Sequence, residues 1–180
     1  MLKLMTICWL FMTCTSASGQ LYSTSTGEIS FHSHTFLEDI DAVNQKVSAV
    51  IDPVRKNIAF SLRMKGFEFK RKLMQEHFNE NYVESDKYPG STFSGSFTGD
   101  FNKDKEGVYP VRVKGKLTMH GVTKTIEEPG KLSVKNGSIF GVASFKLNPS
   151  EYNIDIPFIV RDKIEKENTI EINIEFKQKK

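Results

Sequence analysis

Four histidines are the residues with the most versatile chemistry in this sequence, because imidazole can bind a metal ion or transfer a proton. His32 and His34 are two residues apart, so a strand would place both on one face, where they could bind a metal together. His77 and His120 lie far from them in sequence, and no cysteine follows residue 19. The pattern favours solvent-facing strand histidines over a metal site.

Catalytic motifs are not found in the sequence. It contains no G-x-S-x-G elbow, no phosphate-binding glycine loop, no H-E-x-x-H and no cysteine placed to act as a nucleophile. Neighbouring carboxylates at 38–39 and 127–128 would point to opposite faces of a strand, so they would not converge as an acid and a base. His120 precedes Gly121, and a turn residue bonded to nearby backbone is a better interpretation than a catalytic base. We predict no catalytic residue, no metal and no cofactor.

Residues 1–19 are predicted to be a secretory signal peptide. Lys3 precedes an apolar run too short to span a bilayer, and the small residues Ala17, Ser18 and Gly19 suit cleavage before Gln20. Lipidation of Cys14 is disfavoured because the three residues before it are not the small ones that such a site requires. Both cysteines lie in the leader, so the exported chain has no disulfide.

Removing residues 1–19 from the 180-residue chain leaves 161 residues, which suits one domain over 20–180. The whole chain carries a formal charge of +3, and basic and acidic residues are interspersed, which argues against nucleic acid as a partner. A soluble exported protein in a Gram-negative cell would be periplasmic. The sequence leaves a homodimer open.

Most of the remaining chain alternates apolar and polar residues with the period of a half-buried strand. The clearest case runs from Val108 to Met119 and turns at His120-Gly121. The interruptions are an acidic break at 37–45, with at most a helical turn, a stop at Pro129-Gly130, and a possible helical turn at 157–164. The predicted strands are 28–36, 46–51, 57–65, 91–101, 108–119, 122–126, 131–135, 138–147, 151–156 and 169–176.

Three local signals refine this pattern. Apolar residues recur at three- and four-residue steps after Gly66, which predicts an amphipathic helix of about three turns starting near Lys70. Gly95 and Gly99 alternate with large aromatics, which indicates a bend or a close backbone approach. Asn136-Gly137 predicts a type I′ hairpin turn.

A sheet of this size with one apolar face must pack on a second sheet or close on itself. Long strands with glycine kinks favour closure. We therefore predict an all-β fold: an antiparallel, lipocalin-like barrel of about eight strands with one amphipathic helix near a mouth.

Two segments carry a resemblance to a known family. Leu117 to Lys124, LTMHGVTK, and Asn81 to Phe93, NYVESDKYPGSTF, resemble the most recognisable strings of the YceI-like family of exported, lipocalin-like barrels. The resemblance implies an apolar interior that holds an isoprenoid or similar long chain, and a non-catalytic periplasmic carrier. The opening strand matches only loosely and the region 39–92 is short, which leaves the size of the pocket open.

If the barrel encloses such a chain, the ligand would contact inward residues of the strands and the apolar face of the helix. The alternative is an exported structural or stress-related barrel filled by its own phenylalanines, without a ligand. The predicted ligand-binding residues are Phe31, Phe60, Met64, Phe93, Phe97, Val111, Val113, Leu117 and Met119 on strands, and Phe69, Leu73, Met74 and Phe78 at the helix.

Overall fold

The computed structural model describes residues 21–33, 39–155 and 167–179. Nine strands and one short helix make up most of this part of the chain. The elements are β1 (Tyr22–Ser33), β2 (Ile40–Asp52), β3 (Asn57–Arg63), β4 (Glu68–Phe69), α1 (Lys72–His77), β5 (Gly90–Thr98), β6 (Gly107–Met119), β7 (Val122–Lys135), β8 (Ser138–Leu147) and β9 (Asn168–Gln178).

The sheet closes on itself as an antiparallel barrel of eight strands. The neighbour order is β1-β9-β8-β7-β6-β5-β3-β2, and pairing of β1 with β2 completes the ring. The two-residue strand β4 pairs with β2 through Ala42 and Val43, where β3 has already left β2. The predicted lipocalin-like barrel is confirmed.

The two ends of the barrel are built differently. The β2–β3 turn and the β7–β8 hairpin share one end with Tyr22, and the side chains here include the most buried of the described residues, such as Ile51, Ile139 and Phe176. Helix α1 and the β6–β7 turn belong to the other end. We call the first the closed end and the second the helix end.

The first described strands, β1 and β2, are longer than the sequence predicts. β1 begins at Tyr22 instead of residue 28, and the first half of β2, predicted as a break, is paired with β1 from Ile40 to Asn44. The acidic composition of this segment suggests a loop. In the structure the inward residues Ala42 and Asn44 are fully buried, and the charged residue lies on the outward face of the strand. Burial on one face outweighs the polar composition.

β7 crosses Pro129-Gly130 without a break, so the predicted interruption is wrong. The strand pairs with β6 along its whole length, from Val122 opposite Met119 to Val134 opposite Gly107. Its pairing with β8 covers only residues 130–135. Proline is tolerated at position 129 because the pairing of β7 with β8 does not extend to this residue, so no backbone N–H is required to bond to β8.

One further predicted element differs from the structure, and others lie outside the described residues. Residues 149–152 form a 3₁₀ turn where a strand was predicted from residue 151, with the Asn148 side chain accepting a hydrogen bond from the Ser150 amide. The predicted helical turn at 157–164, the end of the first predicted strand at 34–36 and the signal peptide lie outside the described residues.

The predicted amphipathic helix is α1 together with a π-helical turn, Phe78–Tyr82, which continues it. Met74 and Phe78 are half-buried, whereas Leu73 is 57% exposed. Phe78 packs on Phe31 of β1, with ring centroids 5.6 Å apart. The helix therefore lies near the barrel mouth at the helix end.

Gly95 and Gly115 face one another on β5 and β6, and their backbones approach closely. A Cβ on Gly95 would lie 2.6 Å from Gly115 Cα, and a Cβ on Gly115 would lie 2.6 Å from the ring of Phe93. The close approach predicted at Gly95 is confirmed, and Gly115 leaves room for the Phe93 ring.

Replacing Gly95 by alanine is expected to lower the free energy of unfolding by about 1–3 kcal/mol, because backbone atoms would have to move. Ser94→Ala, an exposed position on the same strand, is the control and should change it by less than about 0.5 kcal/mol. Urea denaturation measures both. Equal effects of the two substitutions would contradict the close approach.

Candidate functional site

An apolar cavity of about 450 Å³ lies inside the barrel. This volume falls in the range of roughly 300–1,000 Å³ that is typical of small-molecule sites. Ile174 and Phe176 line its inner part, and Ile51, Phe97 and Ile139 lie outside it toward the closed end. The barrel is thus filled at one end and hollow toward the other.

The structure brings most of the predicted ligand-binding residues to this cavity. They come from β1, β3, the stretch 64–69 that contains β4, the helical segment formed by α1 and the π-helical turn, β5 and β6, and they all face the interior of the barrel. The predicted residues on the cavity wall are Phe31, Phe60, Met64, Phe69, Met74, Phe78, Phe93, Val111, Val113, Leu117 and Met119.

Two predicted residues do not line the cavity. Phe97 is inward, but it sits at the closed end, 2% exposed, and its ring contacts Phe101 at a centroid distance of 5.7 Å. Leu73 is on the outer face of α1, because Met74 and Phe78 take the inner face. Parity alone could not separate the filled and hollow parts of the barrel.

Four phenylalanines form an aromatic cluster where the helical segment meets β1. Phe31 contacts Phe67, Phe69 and Phe78 with centroid distances of 5.5, 5.7 and 5.6 Å. Phe69 and Phe78 lie 5.0 Å apart. These ring contacts, each worth about 0.5–1.5 kcal/mol beyond area burial, hold the helical segment against the cavity.

Sequence reasoning missed a large part of the wall. β9 alternates strictly, so its inward residues could have been found by the parity used for the other strands. The missed residues are Ile29, Ile40, Ile126, Glu128, Phe145, Leu147, Ile170, Ile172 and Ile174, among others.

Glu128 is the one carboxylate among the described lining residues. It shares parity with Ile126 and lies opposite Val113, so it faces inward, whereas Glu127 faces the other way, as the alternation of a strand predicts. Burial raises the pKa of Glu128, and the charge of Arg112 opposes that shift.

Glu127 points outward, and its carboxylate lies 3.1 Å from Lys114 and 3.1 Å from Arg112. The hydrogen bond from Lys114 and then that from Arg112 lower the pKa of Glu127.

The two neighbouring carboxylates should therefore respond oppositely to pH. A raised pKa in the folded state means that Glu128 costs stability once pH rises above the ordinary glutamate range, so Glu128→Gln should stabilise the protein at pH 7, with a gain that vanishes at low pH. Glu127→Gln should be mildly destabilising at pH 7, because a lowered pKa contributes stability above the unfolded value that is lost as pH falls.

Thermal melts of both variants between pH 3.5 and 7.5 measure this difference. A destabilising Glu128→Gln substitution at pH 7 would contradict the inward placement of this carboxyl.

His120 links the β6–β7 turn to two distant segments. Its Nδ1 lies 3.1 Å from the carbonyl oxygen of Tyr152, and its Nε2 lies 3.0 Å from Glu84 Oε2. Both ring nitrogens face acceptors, and only the imidazolium can donate to both at once. The Tyr88 ring packs on it at 4.2 Å. The imidazole bonds to backbone, as predicted, although the partner is distant in sequence.

This arrangement assigns His120 a structural role. The residue is buried, it does not line the cavity, and its φ of 51° with Gly121 at 76° makes the turn itself left-handed. The imidazole ties the end of the helical region, the β6–β7 turn and the 149–152 turn to one another at the helix end.

His120→Ala is expected to lower the free energy of unfolding by about 1.5–3 kcal/mol, because a charge-assisted hydrogen bond and a second bond are lost. His77→Ala, at an exposed position on α1, is the matched control and should change it by less than about 0.5 kcal/mol. Chemical denaturation measures both. A silent His120→Ala would show that the three segments hold together without the imidazole.

His32 belongs to a surface network at the same end. Its Nδ1 lies 2.8 Å from Asp41 Oδ1, and Lys70 Nζ lies 3.1 Å from the other oxygen of that carboxylate. The hydrogen bond with His32 and then that with Lys70 lower the pKa of Asp41. Within the described ranges, no three His, Cys, Asp or Glu side chains are placed to hold a metal ion, and His34 lies outside those ranges.

Membrane-spanning helices are not found: no helix within the described residues has the length and apolar character needed to cross a bilayer.

Together, the closed antiparallel ring, the helix at its mouth and the apolar interior define a lipocalin-like barrel with an apolar cavity. The model of the YceI-like domain matches residues 20–176, and the chain belongs to this family. A search of curated proteins finds no match.

Solved structures share the fold at low sequence identity. A polyisoprenoid binding domain from Saccharophagus degradans, implicated in plant cell wall breakdown, has a TM-score of 0.76 at 11% identity, covering 89% of this chain and 99% of its own. BcnA of Burkholderia cenocepacia has a TM-score of 0.71 at 16% identity, covering 83% and 95%. The YceI protein of Campylobacter jejuni has a TM-score of 0.55 at 20% identity, covering 76% and 83%.

Proposed function

We propose that this protein is a non-catalytic carrier that holds an isoprenoid or similar long apolar chain inside its barrel. The observation that carries the proposal is the 450 Å³ cavity, whose wall is almost entirely aliphatic and aromatic side chains. The name of the Saccharophagus degradans neighbour, a polyisoprenoid binding domain, supports the class of ligand.

The energetics of such a site are dominated by burial. Each methylene transferred from water into the cavity contributes about 0.8 kcal/mol, so ten of them contribute about 8 kcal/mol before the cost of association. Met64, Met74 and Met119 add flexible, polarizable contacts that adapt to a branched chain. Hydrogen bonds are not needed for affinity, and so polar groups on the wall are free to act in selectivity.

The alternative of a barrel filled by its own side chains fits only the closed end. Phe97, Ile51 and Ile139 fill that part, but the phenylalanines of β1, β3 and β5 nearer the helix end border a void instead of interlocking across it. We therefore favour a carrier over a purely structural domain.

The proposal includes export of the protein to the periplasm. The leader pattern of residues 1–19 and the absence of cysteine after it support a mature domain of residues 20–180, released into the periplasm. A carrier in that compartment would shield an apolar chain from water between membranes or enzymes.

Organic extraction of the purified protein followed by mass spectrometry should detect a copurified long-chain lipid. Leu117→Trp replaces an isobutyl group on the cavity wall by a bulkier indole ring and should reduce the amount of bound lipid by more than tenfold. Leu73→Trp makes the same exchange on the exposed face of α1 and should leave the lipid content unchanged.

Equal lipid content in both variants would show that the lipid binds elsewhere. No lipid in the wild-type protein, together with no binding of added isoprenoids, would contradict the carrier function.

A further inference from the structure

Two polar atoms on the apolar wall lack any hydrogen-bond partner. Among the described residues, three buried side-chain oxygens are unpaired, and two of them, Ser33 Oγ and Asn168 Oδ1, belong to the cavity. Ser33 is only 3% exposed. A buried polar group without a partner costs free energy, so such a pair in one cavity needs an explanation.

The barrel places these two residues side by side. His32 of β1 pairs with Thr169 of β9, and one further step in that register brings Ser33 opposite Asn168. Cβ atoms of directly opposed strand residues lie roughly 4.5–5.5 Å apart. One ligand group could therefore contact both residues.

The described cavity residues paired with or next to Ser33 and Asn168 are apolar and uncharged. Ile40 is paired with Ser33, Leu147 is paired with Asn168, and the next inward tier holds Phe31, Ile170 and Phe145. None of these cavity neighbours carries a cation, so a phosphate placed here would lose its solvation without gaining a counter-charge.

Two other buried polar side chains among the described residues, Asn44 and Ser91, are satisfied by the protein itself. Asn44, fully buried, donates to the carbonyl oxygen of Arg63 at 2.9 Å and accepts from the Lys46 amide at 3.0 Å. Ser91 also lines the cavity, and it donates to the carbonyl oxygen of Thr118 at 3.0 Å. The unpaired state of Ser33 and Asn168 is therefore specific to one place on the wall.

We propose that Ser33 and Asn168 form the binding site for the polar end of the bound chain, and that this end is a neutral group with a donor and an acceptor, a hydroxyl or a primary amide. Such a group donates to Asn168 Oδ1 and accepts from the Ser33 hydroxyl, while the chain fills the apolar cavity. This inference rests on the proposed carrier function and narrows its ligand to apolar chains with an uncharged end.

The test uses purified, delipidated full-length mature protein and three probes with the same C20 isoprenoid chain: the alcohol, the hydrocarbon and the monophosphate. The measured quantity is the ratio of the dissociation constants for hydrocarbon and alcohol, from competition with a fluorescent apolar probe. The double variant Ser33→Ala/Asn168→Ala should reduce this ratio roughly tenfold, which is the effect of losing hydrogen bonds at a buried site.

The matched control is Ser144→Ala/Asn173→Ala, which makes the same two exchanges at exposed positions on β8 and β9 and should keep the wild-type ratio. A second measurement needs no ligand. Ser33→Ala removes an unpaired buried hydroxyl and should raise the melting temperature of the empty protein by about 2–4 °C. A lower melting temperature would show that the hydroxyl stabilises the fold, and would overturn the inference.

The possible results distinguish failure of the polar-end site from failure of the carrier function. If the wild type binds alcohol and hydrocarbon but the double variant keeps the ratio, or if the monophosphate binds most tightly, the polar-end site is wrong and the carrier function stands. If no probe binds to the wild type, the carrier function fails, and this inference fails with it.

Discussion

Closure of the sheet through the pairing of β1 with β2 is the constraint on which the rest of the structure depends. In a closed antiparallel ring no edge is left, and the alternation of each strand decides which side chains face inward. That parity gives Glu127 and Glu128 opposite surroundings, one with two cations in solvent and the other on the cavity wall. A one-residue slip in β6, β7 or β9 would turn charged side chains toward the interior, so the register of these strands decides whether the interior is apolar.

Side-chain volume then divides the interior. At the closed end, large side chains such as Phe97, Ile51 and Ile139 are buried and do not line the cavity. Farther along, Gly95 and Gly115 bring β5 and β6 together, and the Phe93 ring lies over Gly115. A ring that rests on a glycine occupies the wall instead of the centre of the barrel. The cavity exists because its phenylalanines line the wall or join the aromatic cluster around Phe31.

The features that were predicted correctly from the sequence depend on local pattern, and those that were missed depend on distant partners. Alternation identified β3, β6 and β8, and glycine spacing identified the close approach at Gly95. The first half of β2 was missed because its strand character comes from pairing with β1 and not from its own composition. Leu73 was misplaced because a helical period identifies an apolar face but not its edge, and Phe97 because parity carries no information on depth. The partners of His120, at residues 84 and 152, could not be read from a dipeptide turn.

The same division explains how the helix end can serve a ligand while the fold remains stable. Packing at the closed end does not depend on a guest, and it anchors every strand of the barrel. At the helix end, the segments are joined by polar contacts of His120 and by the aromatic cluster, and these lie beside the cavity and not across it. Nothing in that arrangement needs the space that a ligand would fill. The protein can therefore keep unpaired polar atoms on the cavity wall, because the stability that they cost is supplied at the other end.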